Sequence, residues 1–95
     1  MKKLRILRLT NTCNACPAQW EGWLNDGRAI YIRYRWGYLS VRVSEEATKD
    51  IADAVSGNEI YGRRIGHGLD GFMDYDILKE KTGDVLIFPD IRSDG

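Results

Sequence analysis

Two cysteines, Cys13 and Cys16, form a Cys-x-x-Cys motif near the N-terminus. Two thiolates at this spacing are typical of a zinc knuckle, in which two further ligands complete a tetrahedral site. The chain has a single histidine. The other ligands would therefore be His67 with a carboxylate such as Asp70, or two cysteines of a second copy of the chain. Zinc is thus the alternative cofactor that the motif allows.

The same motif occurs in thiol redox proteins, where the N-terminus of a following helix lowers the pKa of the attacking thiol. The residues after Cys16 lead into a β-hairpin, and no helical pattern follows them. We therefore expect Cys13 and Cys16 to be reduced, without a catalytic role and without a bound cofactor. A zinc- or thiol-dependent activity at these two positions is the alternative function.

Basic and aromatic side chains alternate with apolar ones along the most regular part of the chain. They are Tyr31, Arg33, Arg35, Tyr38 and Arg42, and Trp23 projects on the same side. Guanidinium groups interleaved with rings suit phosphates and stacked bases. They equally suit a protein surface, because Arg and aromatic residues are enriched at interface hot spots. A solvated face with Arg stacked on Tyr is the remaining interpretation.

A glycine-rich segment at 66–71 matches the pattern G-x-G-x-x-G, which binds dinucleotides when a helix begins within it. Here the following helix is predicted to begin only at Asp74, after the glycines, and it is short. We therefore interpret the segment as a flexible turn. No nucleophile and orienting group can be assembled around His67, so we expect no catalytic role for this histidine.

Two hairpins position the basic and aromatic residues. The sequence Asn25-Asp26-Gly27 predicts a three-residue loop, and Trp36-Gly37 predicts a two-residue turn. One register satisfies both hairpins and places apolar residues opposite each other on one face. The predicted pairs on that face are Tyr34 with Leu39, Ile32 with Val41, Ile30 with Val43, Trp20 with Ile32, and Gly22 with Ile30. On the other face the pairs are Arg35 with Tyr38, Arg33 with Ser40, Tyr31 with Arg42, and Glu21 with Tyr31.

The remaining elements are short. A strand is predicted over 4–10, with one bulge or burial on both faces because its apolar residues do not alternate regularly, and another over 59–65. Ser44 is predicted to cap a helix that ends at Gly57, and Asp74 to cap a second helix that ends at Gly83. A last strand covers 85–88. The fold class is therefore α+β in a single domain, 1–95, with an antiparallel β-meander of three to four strands, two short helices and one or two extra short strands.

Composition and charge restrict the class of protein. The chain has 95 residues and a formal net charge of zero, and its hydrophobic and charged shares are those of a globular protein. No stretch approaches the ~18 apolar residues of a membrane span, and Arg5 and Arg8 interrupt any signal sequence. We therefore expect a cytoplasmic protein with no membrane partner.

The zero net charge hides a division between the two halves. Residues 1–43 carry eight Lys and Arg against two Asp and Glu, whereas residues 44–95 carry six against twelve. Such asymmetry indicates either an electrostatic partner or attraction between the halves within one fold. The sequence is also compatible with a homodimer.

Three segments in the first half of the chain carry a resemblance to known proteins: CNACPAQWEG at 13–22, DGR at 26–28 and YIRYRWG at 31–37. With these segments, the first half resembles small proteins of bacteriophages and bacterial prophages. It implies a small phage accessory protein that binds a host factor or a signalling nucleotide, and it implies no particular site residue. We therefore expect a non-enzymatic binding protein that uses the basic and aromatic face, with a host protein favoured over nucleic acid or a nucleotide as the partner.

Overall fold

The computed structural model describes residues 3–15, 17–66 and 71–89. Within them the chain forms six strands and two helices. The six strands make one sheet, in the order β5-β4-β3-β2-β1-β6. The elements are β1 (Leu4–Asn14), β2 (Ala18–Leu24), β3 (Arg28–Arg35), β4 (Tyr38–Ala47), α1 (Ala52–Val55), β5 (Asn58–Arg64), α2 (Tyr75–Thr82) and β6 (Leu86–Ile87).

The sheet confirms the α+β class but has more strands than expected and is not purely antiparallel. Strands β1 to β5 follow one another as an antiparallel meander. Strand β6 then returns to pair in parallel with β1. The strand predicted at 85–88 is present, but it contains only Leu86 and Ile87. A parallel strand needs a crossover connection, and the segment that contains α2 supplies it.

The register of the two hairpins is as predicted, pair for pair. Gly27 has a φ of 94° in the first loop, which is the left-handed conformation expected there. At the second corner both Trp36 and Gly37 have positive φ, 57° and 74°. Two consecutive left-handed residues are typical of a type I′ turn, whose twist matches that of the flanking strands.

Alternation along the meander separates a core face from an outer face. Every second residue of β2 is buried, and the same holds for most of β3 and β4. Burial of these side chains, at about 25 cal/mol per Å² of apolar surface, is the main stabilising contribution. The core cluster contains Ile6, Leu9, Trp20, Leu24, Ile30, Ile32, Tyr34, Leu39, Val41, Val43, Leu78 and Leu86. Helix α2 contributes Leu78 to it, and Asp74 caps this helix as predicted, because its carboxylate accepts the Ile77 N–H at 3.1 Å.

The prediction of a helix that begins at Ser44 is wrong. Strand β4 continues to Ala47, and α1 contains only four residues. The Ser44 hydroxyl accepts the Ala29 N–H at 3.0 Å and donates to the Glu46 carbonyl at 2.8 Å. Ser44 therefore ties together two strands rather than capping a helix. A Ser followed by two acids is a local signal, and here the pairing of β4 with β3 overrides it.

Strand β1 is longer than predicted, because it continues from position 10 to Asn14. Its end pairs with the start of β2 through Asn14 and Ala18, so Cys13 lies within the sheet. The expected irregularity is present, as register shifts between Ile6 and Arg8 and between Asn11 and Cys13. Among the described helices, neither is long and apolar enough to cross a membrane.

Candidate binding surface

The six residues predicted to bind a partner belong to the three central strands. Trp23 is on β2, and the other five are on β3 and β4. Their strand neighbours, among them Ile32, Tyr34 and Leu39, are fully buried in the core. Because side chains alternate between the two faces of a strand, the predicted residues lie on the outer face. Three of them, Trp23, Tyr31 and Arg42, hydrogen-bond within the sheet and its loops, whereas the other three lie near the turn between β3 and β4.

Trp23 and Tyr31 have partners within the chain. The indole Nε1–H of Trp23 donates to the Thr48 carbonyl at 2.8 Å. The hydroxyl of Tyr31 donates to the Gln19 side-chain oxygen at 3.1 Å. Burial raises the pKa of the half-buried Tyr31 hydroxyl, and the nearby charge of Arg33 partly opposes that shift. Both aromatic residues therefore stabilise the sheet and its connection to the loop after β4.

The Arg42 side chain also has partners within the chain. Its Nη1–H donates to the Gly57 carbonyl at 3.1 Å, and its Nη2 lies 3.9 Å from a Glu59 carboxylate oxygen. The Tyr38 hydroxyl donates to the other oxygen of Glu59 at 3.1 Å. A Cβ added at Gly62 would collide with that hydroxyl, so the missing side chain leaves room for Tyr38 to lie across β5. Glu59 is thus occupied by two partners.

A second group of side chains converges at the turn between β3 and β4. The Arg35 guanidinium lies 4.8 Å from the centroid of the Trp36 ring. Arg64, on β5, donates from Nη1 to the Trp36 carbonyl at 2.8 Å and pairs across the sheet with Tyr38. Trp36 is 55% exposed and Tyr38 is 37% exposed. We refer to Arg33, Arg35, Trp36, Tyr38 and Arg64 together as the turn-end patch.

The guanidinium groups of the turn-end patch have no ionic partner within the part of the chain that the structure describes. Among the described residues, ion pairs join only Arg28 with Asp26 and Arg42 with Glu59. The Arg33 Nε lies buried and finds no acceptor in the described part of the chain. A buried donor without an acceptor costs roughly 1–3 kcal/mol, which calls for a physical explanation.

Trp36 is under backbone strain. A left-handed conformation costs a residue with a side chain roughly 1–2 kcal/mol, and bulky residues adopt it rarely. Type I′ turns strongly favour Asn or Gly at this position. The sequence therefore places an exposed indole where a smaller residue would fold more easily. Such outliers cluster at functional sites, where the strain is maintained for a purpose other than folding.

Sequence reasoning overlooked Trp36 and Arg64. Trp36 was assigned only to the turn, although a Trp in place of Asn or Gly before Gly37 is itself a signal. Arg64 could not be linked to the turn, because its neighbour Tyr38 is established only by the pairing of β4 with β5. That pairing contains a register shift between Val41 and Arg42, which no sequence pattern indicates.

Acidic residues gather at the opposite end of β4. Glu45 and Glu46 are exposed near the end of that strand, and Asp50 and Asp53 follow around α1. At a rise of about 3.3 Å per residue, Glu45 lies roughly 23 Å from Tyr38 along the strand. The charge asymmetry between the two halves of the sequence thus becomes, on the β4 side of the sheet, an asymmetry between its two ends.

The cysteine motif is only partly visible. Cys13 is half-buried, its partner across the sheet is Gln19, and its thiol donates to the Ala15 carbonyl at 3.6 Å. Cys16, His67 and Asp70 lie outside the described residues, as does most of the glycine-rich segment. Within 3–15, 17–66 and 71–89, no three His, Cys, Asp or Glu side chains come together as metal ligands could.

The turn-end patch has to be interpreted from its own chemistry. It combines three guanidinium groups with two partly exposed aromatic rings, and one of those rings stands on a strained turn. Comparison with known proteins offers no precedent: no family model, no curated protein and no solved structure matches this chain.

Proposed function

We propose that this chain is a small non-enzymatic binding protein that captures an acidic protein surface with its turn-end patch. The observation that carries the proposal is Trp36, an indole that is 55% exposed on a turn residue with a φ of 57°. Folding gains little from a large ring held in this conformation. A bound partner would gain an apolar anchor that is already fixed in place.

The chemistry of the patch supports recognition of a protein. Trp, Tyr and Arg are the residues most enriched among interface hot spots, and the patch contains all three. Arg33 and Arg35 have no carboxylate partner among the described residues. A carboxylate of the partner would satisfy their donors in a bidentate geometry.

Overall charge favours a protein over nucleic acid. Domains that bind nucleic acid are commonly basic, with a pI above about 9. This chain has a net charge of zero and a sequence pI of about 6.6. The exposed acids Glu45 and Glu46, at the far end of β4, would repel a phosphate backbone that extended along the sheet. The resemblance to phage proteins makes a host protein the favoured partner.

The test is an affinity capture from host lysate, with and without nuclease. Three baits are compared: the parent chain, the double variant Arg33→Ala with Arg35→Ala, and the control Lys79→Ala with Lys81→Ala. The control removes the same number of charges from exposed positions on α2. Thermal melting of all three baits confirms that they are folded.

We expect the parent and the control to retain the same protein after nuclease treatment, and the double variant to lose it. A truncated Arg anchor commonly costs about 2 kcal/mol or more of binding free energy. Capture that disappears with nuclease would instead identify nucleic acid as the ligand. Capture that the double variant retains would show that the turn-end patch is a solvated surface with no role in binding.

A further inference from the structure

A groove of about 640 Å³ lies beside Trp23, away from the turn-end patch. Because strands rise about 3.3 Å per residue, Trp23 is roughly 20 Å from Arg35 along the sheet. Small-molecule sites generally have volumes of roughly 300–1,000 Å³ and mostly apolar walls. Residues Leu7, Arg8, Trp23, Leu24, Ala47 and Lys49 contribute to the lining of this groove. Its size and composition are therefore those of a ligand site.

The wall of the groove is held in place by hydrogen bonds. The Trp23 indole donates to the Thr48 carbonyl at 2.8 Å, which fixes the orientation of the ring. The Thr48 N–H donates to the Gly27 carbonyl at 3.1 Å, so the segment after β4 is tied to the loop between β2 and β3. A Cβ at Gly27 would lie only 3.0 Å from the Ala47 Cβ, so these two segments are in close contact. The site is thus formed before any ligand arrives.

Two consecutive residues of β1 face the groove side because of an irregularity in that strand. The pairing of β1 with β2 shifts between Ile6 and Arg8, so Leu7 has no partner opposite it. Leu7 is 65% exposed and Arg8 is exposed as well, whereas Ile6 and Leu9 on either side of them are buried. A bulge re-aims side chains in this way, and bulges are frequent next to binding sites. Leu7 gives the groove an apolar edge that a ligand would cover.

The charge around the groove is positive. The Arg8 guanidinium lies 5.3 Å from the centroid of the Trp23 ring, and Lys49, which also lines the groove, is exposed. Among the described residues that line the groove, none carries a carboxylate. Of the acids next to lining residues in the sequence, Asp26 pairs with Arg28 at 2.9 Å and Asp50 accepts the Ala52 N–H at 3.0 Å. Glu46 is exposed but does not line the groove. A ligand with one negative group is therefore complementary to this site.

We propose that the groove binds a small amphipathic anion: an apolar or aromatic body with one carboxylate, sulfonate or phosphate group. The body of the ligand packs against the Trp23 ring and the edge formed by Leu7. The anionic group lies between Arg8 and Lys49. This site is independent of the turn-end patch, and neither proposal depends on the other.

The test uses two dyes that share one ring system. Anilinonaphthalene sulfonate carries a negative charge, and N-phenyl-1-naphthylamine is its neutral counterpart. Each is titrated into the folded parent chain, the double variant Arg8→Gln with Lys49→Gln, and the control Lys79→Gln with Lys81→Gln.

We expect the sulfonate to bind in one equivalent, about tenfold tighter than the neutral dye, since two exposed ion pairs together supply roughly that factor. The Arg8 and Lys49 double variant should lose this advantage, and the control should retain it. Equal affinity for the two dyes would overturn the proposal, as would unchanged sulfonate binding by the double variant.

Discussion

Replacement of Trp36 by Asn tests whether the indole is there for folding or for binding. The substitution relieves a left-handed conformation that costs roughly 1–2 kcal/mol for a bulky residue, since Asn adopts it readily and Asn-Gly is the preferred pair in this turn. It removes the cation–π contact with Arg35, which is worth about 0.5–1 kcal/mol at an exposed site. Loss of the partly shielded ring surface costs about 1 kcal/mol more.

These contributions nearly cancel, so the free energy of unfolding should change by less than about 1 kcal/mol. For a domain of this size, that is a shift in melting temperature of no more than about 8 °C. A matched control is Trp20→Asn, because Trp20 is only 2% exposed in the core. Truncation of a buried Trp should cost about 3–5 kcal/mol.

Thermal and urea denaturation, followed by circular dichroism, measure both variants. We expect Trp36→Asn to melt close to the parent and Trp20→Asn to melt far below it. A loss of more than about 2 kcal/mol in Trp36→Asn would refute the reasoning, since it would assign the indole a packing role that its exposure does not show.

Three further predictions concern the sheet itself. Ile32→Ala should lower the free energy of unfolding by about 2–4 kcal/mol in urea denaturation, because Ile32 is fully buried. A loss under about half a kcal/mol would contradict its core position. Gly22→Ala should unfold the chain or cost more than about 3 kcal/mol, because the new Cβ would collide with the Arg8 carbonyl, whereas Gly83→Ala makes a tight but not overlapping contact at 3.2 Å and should cost much less. Burial raises the pKa of Tyr31 in the folded state. The stability linked to its neutral hydroxyl is therefore complete below the unfolded pKa near 10 and is lost as the pH rises through the folded pKa. Melting measured across that pH range should show that Tyr31→Phe loses less stability at alkaline pH than the parent does.

The central hairpins were predictable because two independent signals agree on them. The turn residues at 25–27 and 36–37 set the positions of the corners, and alternation of apolar residues sets which face is buried. A slip of one residue would move Ile30, Ile32 and Val41 to solvent, so the register is strongly determined. A structure can be predicted from its sequence where local and nonlocal signals agree.

The chain after Val43 was harder to predict, because its local signals conflict with the pairing. Ser44 followed by two acids favours a helix start, but the backbone remains extended to Ala47 beside β3. Strand β6 has only two residues, and its parallel partner β1 is more than 70 positions away in sequence. No periodic pattern can develop in two residues, so neither its length nor its direction could be predicted.

The candidate site was predictable as a face but not as a patch. Alternation placed Arg33, Arg35 and Tyr38 on the outer side correctly. It could not show that Arg42 is engaged by Glu59 and the Gly57 carbonyl, because those contacts come from the return of β5 along β4. Which residues of a face are already occupied is a tertiary property, and it decides which of them are available to a partner.

Titration calorimetry with the captured partner tests the central claim most directly. It compares the dissociation constants of the parent chain, the double variant Arg33→Ala with Arg35→Ala, and the control Lys79→Ala with Lys81→Ala. We predict that the double variant binds at least about thirtyfold more weakly, which corresponds to about 2 kcal/mol, and that the control binds like the parent. A double variant that melts like the parent and binds the partner with an unchanged dissociation constant would contradict the assignment of the turn-end patch as the binding surface.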